Sequence, residues 1–250
     1  QFAAPKQEPR PVQKTSTPPF GIIKSSHGMM ELPSLSSTPC QSCFEPIDQT
    51  LDTIVQFTNG AAPEYRNDDG STVQMSLPFS FCFYGDTFSY FWVNNNGNVS
   101  FNGPVGAYSA SGFPDPSAVM VAPFWADVDT RNGASGLVYI RRTPHYVKIK
   151  WDRVGYFNSQ ADKVNDFQLI ITDGTDPIVP DANNVRFCYG DMQWTTGPAS
   201  QGVNGFGGIP ATVGANRGNG ADFIQFGRFD HPGTDYDGPA STTNPDGISL

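Results

Sequence analysis

The chain has 250 residues, with 26 Gly and 22 Pro, and 16% of its side chains are charged. Low charge and abundant turn residues suit a β-rich extracellular protein, and no apolar run approaches the roughly 20 residues that cross a bilayer as a helix. The formal net charge of −9 is uneven: Lys6, Arg10, Lys14 and Lys24 against Glu8 give residues 1–30 a charge of +3 and leave −12 on the rest, a balance that disfavours nucleic acid and anionic lipid as partners.

Residues 1–39 read as an extended or disordered arm, because Pro5, Pro9, Pro11, Pro18 and Pro19 break any regular element. The arm reads as a spacer, or as a peptide that docks on a partner chain and supports self-assembly. No signal-peptide pattern opens it, and a start at Gln1 reads as a secreted chain whose signal has been removed. Residues 40–76 form a cysteine-containing transition, with one short strand expected around Leu51, Ile54, Val55 and Phe57 and a turn at Asn67-Asp68-Asp69-Gly70.

From about residue 76 strand follows strand. Phe79, Phe81 and Phe83 alternate with Ser80, Cys82 and Tyr84, and Tyr90-Phe91-Trp92-Val93 and Asn98-Val99-Ser100-Phe101 flank Asn96-Gly97, which predicts a hairpin with a type I′ turn. Residues 119–129 predict a strand that is bulged or at an edge, because Pro123 has no N–H for a ladder. Residues 136–142 pair with 146–154 through Thr143-Pro144; Val147, Ile149 and Trp151 share a buried face, and Lys148, Lys150 and Asp152 a wet one. Residues 166–173, 184–192 and 223–229 complete the strands. The glycine-rich stretch 197–220 reads as one long loop, and Gly247-Ile248-Ser249-Leu250 as a strand beginning, as if the chain had been cut from a longer one. The pattern is all-β: a sandwich of mostly antiparallel strands with long Gly/Pro-rich loops and an extended N-terminal tail.

Four cysteines, Cys40, Cys43, Cys82 and Cys188, lack zinc-site spacing and read as structural disulfides of an oxidising compartment. Cys82 and Cys188 each sit between aromatics at the same strand parity, so a Cys82–Cys188 bridge with a local Cys40–Cys43 loop is one arrangement. Pairing Cys40 or Cys43 with the body is the other. Asp127-Val128-Asp129 puts two carboxylates on one strand face, a candidate for hard-cation chemistry such as Ca²⁺; the bland reading has Asp129 and Asn132 capping the turn to Gly133. No other cofactor is expected. Asp127, Asp129, Asp152 and Asp191 are the acids from which a glycosidase pair would be drawn. His27, His145 and His231 have no motif neighbours, and no nucleophile elbow is present. Asn98-Val99-Ser100 is the sole N-glycosylation sequon.

Several stretches in register resemble the NIDO domain, an extracellular module found in nidogen, alpha-tectorin and the large mucins. They are Leu77-Pro78-Phe79 with Tyr84-Gly85, Asn95-Asn96-Gly97-Asn98, Pro123-Phe124-Trp125-Ala126-Asp127-Val128-Asp129, Trp151-Asp152-Arg153-Val154-Gly155-Tyr156-Phe157, Phe167-Gln168-Leu169 and Tyr189-Gly190-Asp191-Met192-Gln193-Trp194. The resemblance runs over residues 77–250. It implies an extracellular, non-enzymatic adhesion or structural module, with other chains or cell-surface and matrix components as partners, and defines no catalytic residue. Cys40-Gln41-Ser42-Cys43-Phe44-Glu45-Pro46 ahead of such a domain resembles large cell-surface proteins of Bacteroidota of the gliding-adhesin type, which implies type 9 secretion and filament assembly. A carbohydrate-binding or carbohydrate-processing domain is the alternative reading.

Overall fold

In the computed structural model residues 43–180 and 183–228 are described; the expectations for the proline-rich arm, Cys40, His27, His231 and the closing segment lie outside those residues. In chain order the strands are β1 (Thr53–Ile54), β2 (Met75–Phe83), β3 (Asp86–Asn94), β4 (Asn98–Ser100), β5 (Met120–Trp125), β6 (Val138–Arg142), β7 (Tyr146–Tyr156), β8 (Gln160–Thr172), β9 (Val185–Met192), β10 (Thr212–Asn216) and β11 (Phe223–Arg228). They form two antiparallel sheets, one ordered β1-β6-β7-β8-β9 and the other β11-β10-β5-β4-β3-β2. Among the described residues the only helical element is a single 3₁₀ turn at Pro198–Ser200. The expected all-β sandwich is the observed fold.

The turns follow from backbone sterics. Phe83 pairs with Asp86, leaving Tyr84 and Gly85 as a two-residue loop with φ of 50° and 85°. Two successive left-handed residues make the type I′ turn that matches strand twist. At Asn96-Gly97 the hairpin forms as expected, but its turn is different. Asn94 pairs with Asn98, so the loop has three residues, Asn95-Asn96-Gly97, and ends on Gly97 at φ 74°. A Cβ on Gly97 would lie 1.8 Å from the Phe124 carbonyl oxygen, so the close approach of β5 requires glycine there. Pro123 lies in β5, which is a central strand and not an edge. The register of β10 on β5 slips across this point, from Thr212↔Trp125 to Gly214↔Ala122, and that irregularity accommodates the missing N–H.

The inner faces of both sheets meet in an aromatic core. Trp151 stacks on Phe167 with centroids 5.0 Å apart; Phe124 crosses from the other sheet to Phe167 at 5.2 Å and to Trp194 at 5.4 Å. Such pairs add about 0.5–1.5 kcal/mol each beyond area burial. Both indoles find acceptors, Trp151 Nε1 donating to Asn95 O (3.0 Å) and Trp194 Nε1 to Val154 O (3.1 Å). Val55 and Phe57, from the segment before β2, are part of this core.

The outer faces depart from the sequence reading. Lys148 and Lys150 were expected to be wet, and both are buried, Lys148 to 1% exposure. The reason is a strap: residues 43–45 cross the outer face of the five-stranded sheet. Lys148 Nζ meets Glu45 Oε2 at 2.6 Å, Lys150 Nζ donates to Glu45 O at 3.2 Å, and the Lys150 ammonium lies 4.3 Å from the Phe44 ring centroid. On the other sheet, Phe113 of the segment between β4 and β5 stacks on Trp125 at 6.0 Å, and Trp125 Nε1 donates to Ala107 O at 2.8 Å. The stretch 197–220, read as one loop, contains β10, a strand between β5 and β11. Small residues suffice in β10 because Asn216 Nδ2 donates to Asp115 O (2.7 Å) and Ala118 O (2.6 Å) of the covering segment.

The disulfide also corrects the sequence reading: Cys43 pairs with Cys188, the alternative that ties the transition segment to the body. Cys82 is free and exposed on β2, an edge of one sheet, while Cys188 sits on β9, an edge of the other; shared parity could not reveal that the strands do not pair. We predict that non-reducing peptide mapping recovers Cys43 joined to Cys188 and Cys82 alkylated, and that Cys43→Ser/Cys188→Ser costs about 2–5 kcal/mol in urea unfolding. Glu45→Ala is expected to destabilise by about 2–4 kcal/mol by leaving Lys148 buried without its carboxylate, whereas Lys148→Met stays near neutral in the same assay.

Candidate functional site

Three polar turns converge at the loop end of the hairpin β3–β4. The first is the Asn67–Gly70 turn, whose Asn67 Oδ1 accepts from Asp68 N (2.9 Å) and Gly70 N (2.5 Å). The second is the hairpin loop Asn95-Asn96-Gly97. The third follows β5, where Thr130 N donates to Asn67 O at 2.8 Å. Short polar side chains that bond nearby backbone are the residues such turns select.

The hairpin asparagines lace these turns together. Asn95 N donates to Gly70 O at 2.8 Å, and Asn95 Nδ2 donates to Asp68 O and to Val128 O. Asn96 Nδ2 reaches Asp69 Oδ1 at 2.8 Å, while Asn96 Oδ1 accepts from Val128 N at 3.1 Å. Asn94 and Asn98 bond each other (Nδ2 to Oδ1, 2.7 Å) and are fully buried. The sequon asparagine is therefore sealed inside the folded hairpin, with no room for a glycan.

The two carboxylates singled out in the sequence part company. Asp129, at 0% exposure, accepts from Arg131 Nη2 (2.6 Å), Arg131 Nε (2.9 Å), Arg131 N (2.9 Å) and Ser159 N (2.8 Å). It acts as a turn residue, as Asn132 does through Ala134 N at 2.8 Å. Asp127, at 2% exposure, instead joins Asp68 and Asp69, one carboxylate oxygen from each lying within 4.8 Å of the others. Asp68 and Asp69 carried only a turn signal in the sequence; nothing local could show that a chain of 57 residues beyond Asp69 returns to place Asp127 beside them.

This crowding costs free energy. Burial first, then the charges of Asp68, Asp69 and Asp129, push the Asp127 carboxyl up to about 8, against the opposing pull of Arg131. Burial and the charges of Asp129 and Asp69 raise Asp68 to about 6, although its Oδ2 meets Arg131 Nη2 at 3.0 Å. Among the described residues the buried side-chain oxygens without a hydrogen-bond partner are Asp68 Oδ1, Asn95 Oδ1 and Asp127 Oδ2.

The remaining acids considered for hydrolysis have structural partners. Asp152 Oδ1 pairs with Lys150 Nζ at 2.8 Å, and Asp191 Oδ2 accepts from Gln193 Nε2 at 2.5 Å. His145 lies exposed at its turn, with Nδ1 2.8 Å from Asp173 Oδ2.

A family model described as NIDO related matches residues 43–244. Human (Homo sapiens) alpha-tectorin is 33% identical over 206 residues, which covers 70% of this chain and 9% of that protein. Nidogen of Drosophila melanogaster is 26% identical over 191 residues, covering 65% of this chain and 13% of the relative. Dendrite extension defective protein 1 of Caenorhabditis elegans is 28% identical over 163 residues, covering 55% and 13%. The chain thus spans a small fraction of the length of these relatives. No solved structure matches it significantly.

Arg131 is the cation that neutralises Asp129. Arg131→Met is expected to lower stability by about 2–4 kcal/mol, since a fully buried carboxylate loses its ionic partner, and urea denaturation at neutral pH measures the loss.

Proposed function

Because this chain belongs to the NIDO-related family, we propose that it is an extracellular, non-enzymatic adhesion or structural module of a larger protein. The observation that carries the reading is the family match over a disulfide-closed β-sandwich, together with the use of the candidate acids. Asp127 and Asp129 are shut away from solvent, and Asp152 and Asp191 are engaged by neighbouring side chains, so these four acids do not supply the pair of free carboxylates across an open cleft that glycoside hydrolysis requires. Alpha-tectorin and nidogen as relatives support a matrix setting and protein or matrix partners. No described helix is long and apolar enough to cross a membrane.

A surface suited to another chain is the edge strand β11. Phe223, Ile224 and Phe226 are exposed there, and the outer side of β11 pairs with no other described strand, a row of backbone groups that a partner strand would satisfy. The arm 1–39 is proposed as a second contact, through self-assembly. Placement in a gliding adhesin secreted by the type 9 route is a finer proposal. It rests on the Cys40–Pro46 resemblance alone; the relatives reported above are animal proteins and lend it no support.

The test presents the immobilised chain to cells and to extracted extracellular matrix, and in parallel incubates it with a panel of polysaccharides. Retention without turnover is expected. Hydrolysis that disappears in Asp127→Asn or Asp152→Asn would overturn the reading in favour of the carbohydrate-processing alternative.

A further inference from the structure

We propose that Asp68, Asp69 and Asp127, with the amide oxygen of Asn95, form a Ca²⁺-binding site that clamps the three polar turns at this end of the sandwich. One oxygen from each carboxylate already lies within 4.8 Å of the others, a spacing that a single central cation spans with ligand distances of about 2.3–2.6 Å. All the donors are hard oxygens, with neither His nor Cys in the group, which selects Ca²⁺ or Mg²⁺ over zinc or copper. Several protein ligands in irregular loop geometry favour Ca²⁺, because Mg²⁺ demands a near-ideal octahedron and retains its water.

The independent observation is the set of orphaned oxygens. Asp127 Oδ2 and Asn95 Oδ1 belong to side chains at 2% and 0% exposure, and neither atom has a hydrogen-bond partner. The Asn95 amide is oriented by its own bonds: Nδ2 is committed to Asp68 O and Val128 O, so the oxygen is left free. Asp68 Oδ1 is the third such atom. Buried polar atoms without partners call for an explanation such as an ion.

Protonation of Asp127 is the competing explanation, since burial and neighbouring charge raise its carboxyl to about 8. It removes one charge and supplies a single O–H donor, which serves at most one further oxygen of the three that lack partners. A cation offsets the charge and takes all three oxygens at once. Among the described residues the cation that meets the cluster is Arg131, through Asp68, and it is already committed to Asp129.

The probe is Ca²⁺ itself, titrated into the EDTA-treated 250-residue chain by calorimetry and followed by thermal unfolding. One Ca²⁺ per chain is expected, with an affinity of the order of 10⁻⁴–10⁻³ M typical of extracellular modules. A Tm rise of roughly 5–10 °C is expected at about 100 times the Kd. Tb³⁺ should show luminescence sensitised by Trp151, whose indole donates to Asn95 O, and Ca²⁺ should quench it by displacement. Asp127→Asn is expected to keep or raise the Tm in EDTA, because one crowded carboxylate is gone, and to weaken Ca²⁺ binding at least about tenfold. Asp69→Asn, at an exposed position, should weaken binding without a folding defect, and Asp152→Asn should leave it intact. The proposal is overturned if wild-type heat and Tm stay unchanged up to about 10 mM Ca²⁺, or if Asp69→Asn binds Ca²⁺ as wild type does.

Discussion

The indole N–H of Trp151 reaches across the sandwich to the backbone oxygen of Asn95, 3.0 Å away, and much of the molecule is arranged around that bond. It fixes the middle of β7 against the hairpin loop of the opposite sheet. The indole then serves as the floor on which Phe167 stacks, and Phe167 in turn receives Phe124. On its other side, Asn95 joins Asn96 in binding the 67–70 turn to the segment after β5. One hydrogen bond therefore links the apolar interior to the polar loop end, and it satisfies a donor that would otherwise be buried unpaired at a cost of about 1–3 kcal/mol.

Where the fold is dictated by period-two alternation, the sequence could be read. β2, β3, β6 and β7 present Phe81, Phe91, Ile140 and Ile149 to the interior, with turn residues between them, and each was anticipated. The failures share a cause. Lys148 and Lys150 alternate as a solvated face should, and only the arrival of residues 43–45 over that face buries them. β10 offered no alternation because it is covered on its outer side by the segment before β5, where small residues and Asn216 fit. Asp68 and Asp69 looked like ordinary turn formers. In every case the deciding contact joins segments far apart in the chain, and no local pattern encodes it.

This is also why the acidic loop end is unlike an ordinary turn cluster. Asx turns normally consume their own carboxyl and amide oxygens, as Asp129 and Asn132 do. Asp127, Asp68 and Asn95 each keep one side-chain oxygen unspent, although the other oxygen of Asp68 meets Arg131. The fold tolerates like charges in close quarters here while neutralising a neighbouring one completely, a contrast that composition or net charge alone does not reveal.

The Cys43–Cys188 bond has a mechanical side. Tension applied to the chain ahead of Cys43 does not enter β1. It passes through the disulfide directly to β9, 145 positions further along. Everything in between, including nine of the eleven strands in whole or part, sits inside a covalent ring that stretching cannot lengthen. Under load between the two ends of the domain, only the chain beyond Cys188 is free to pay out, beginning with β10 and β11. A module placed in series within a long extracellular protein would then have a short, fixed extension, and the core aromatics that precede Cys188, Trp151, Phe167 and Phe124 among them, would be spared the pull.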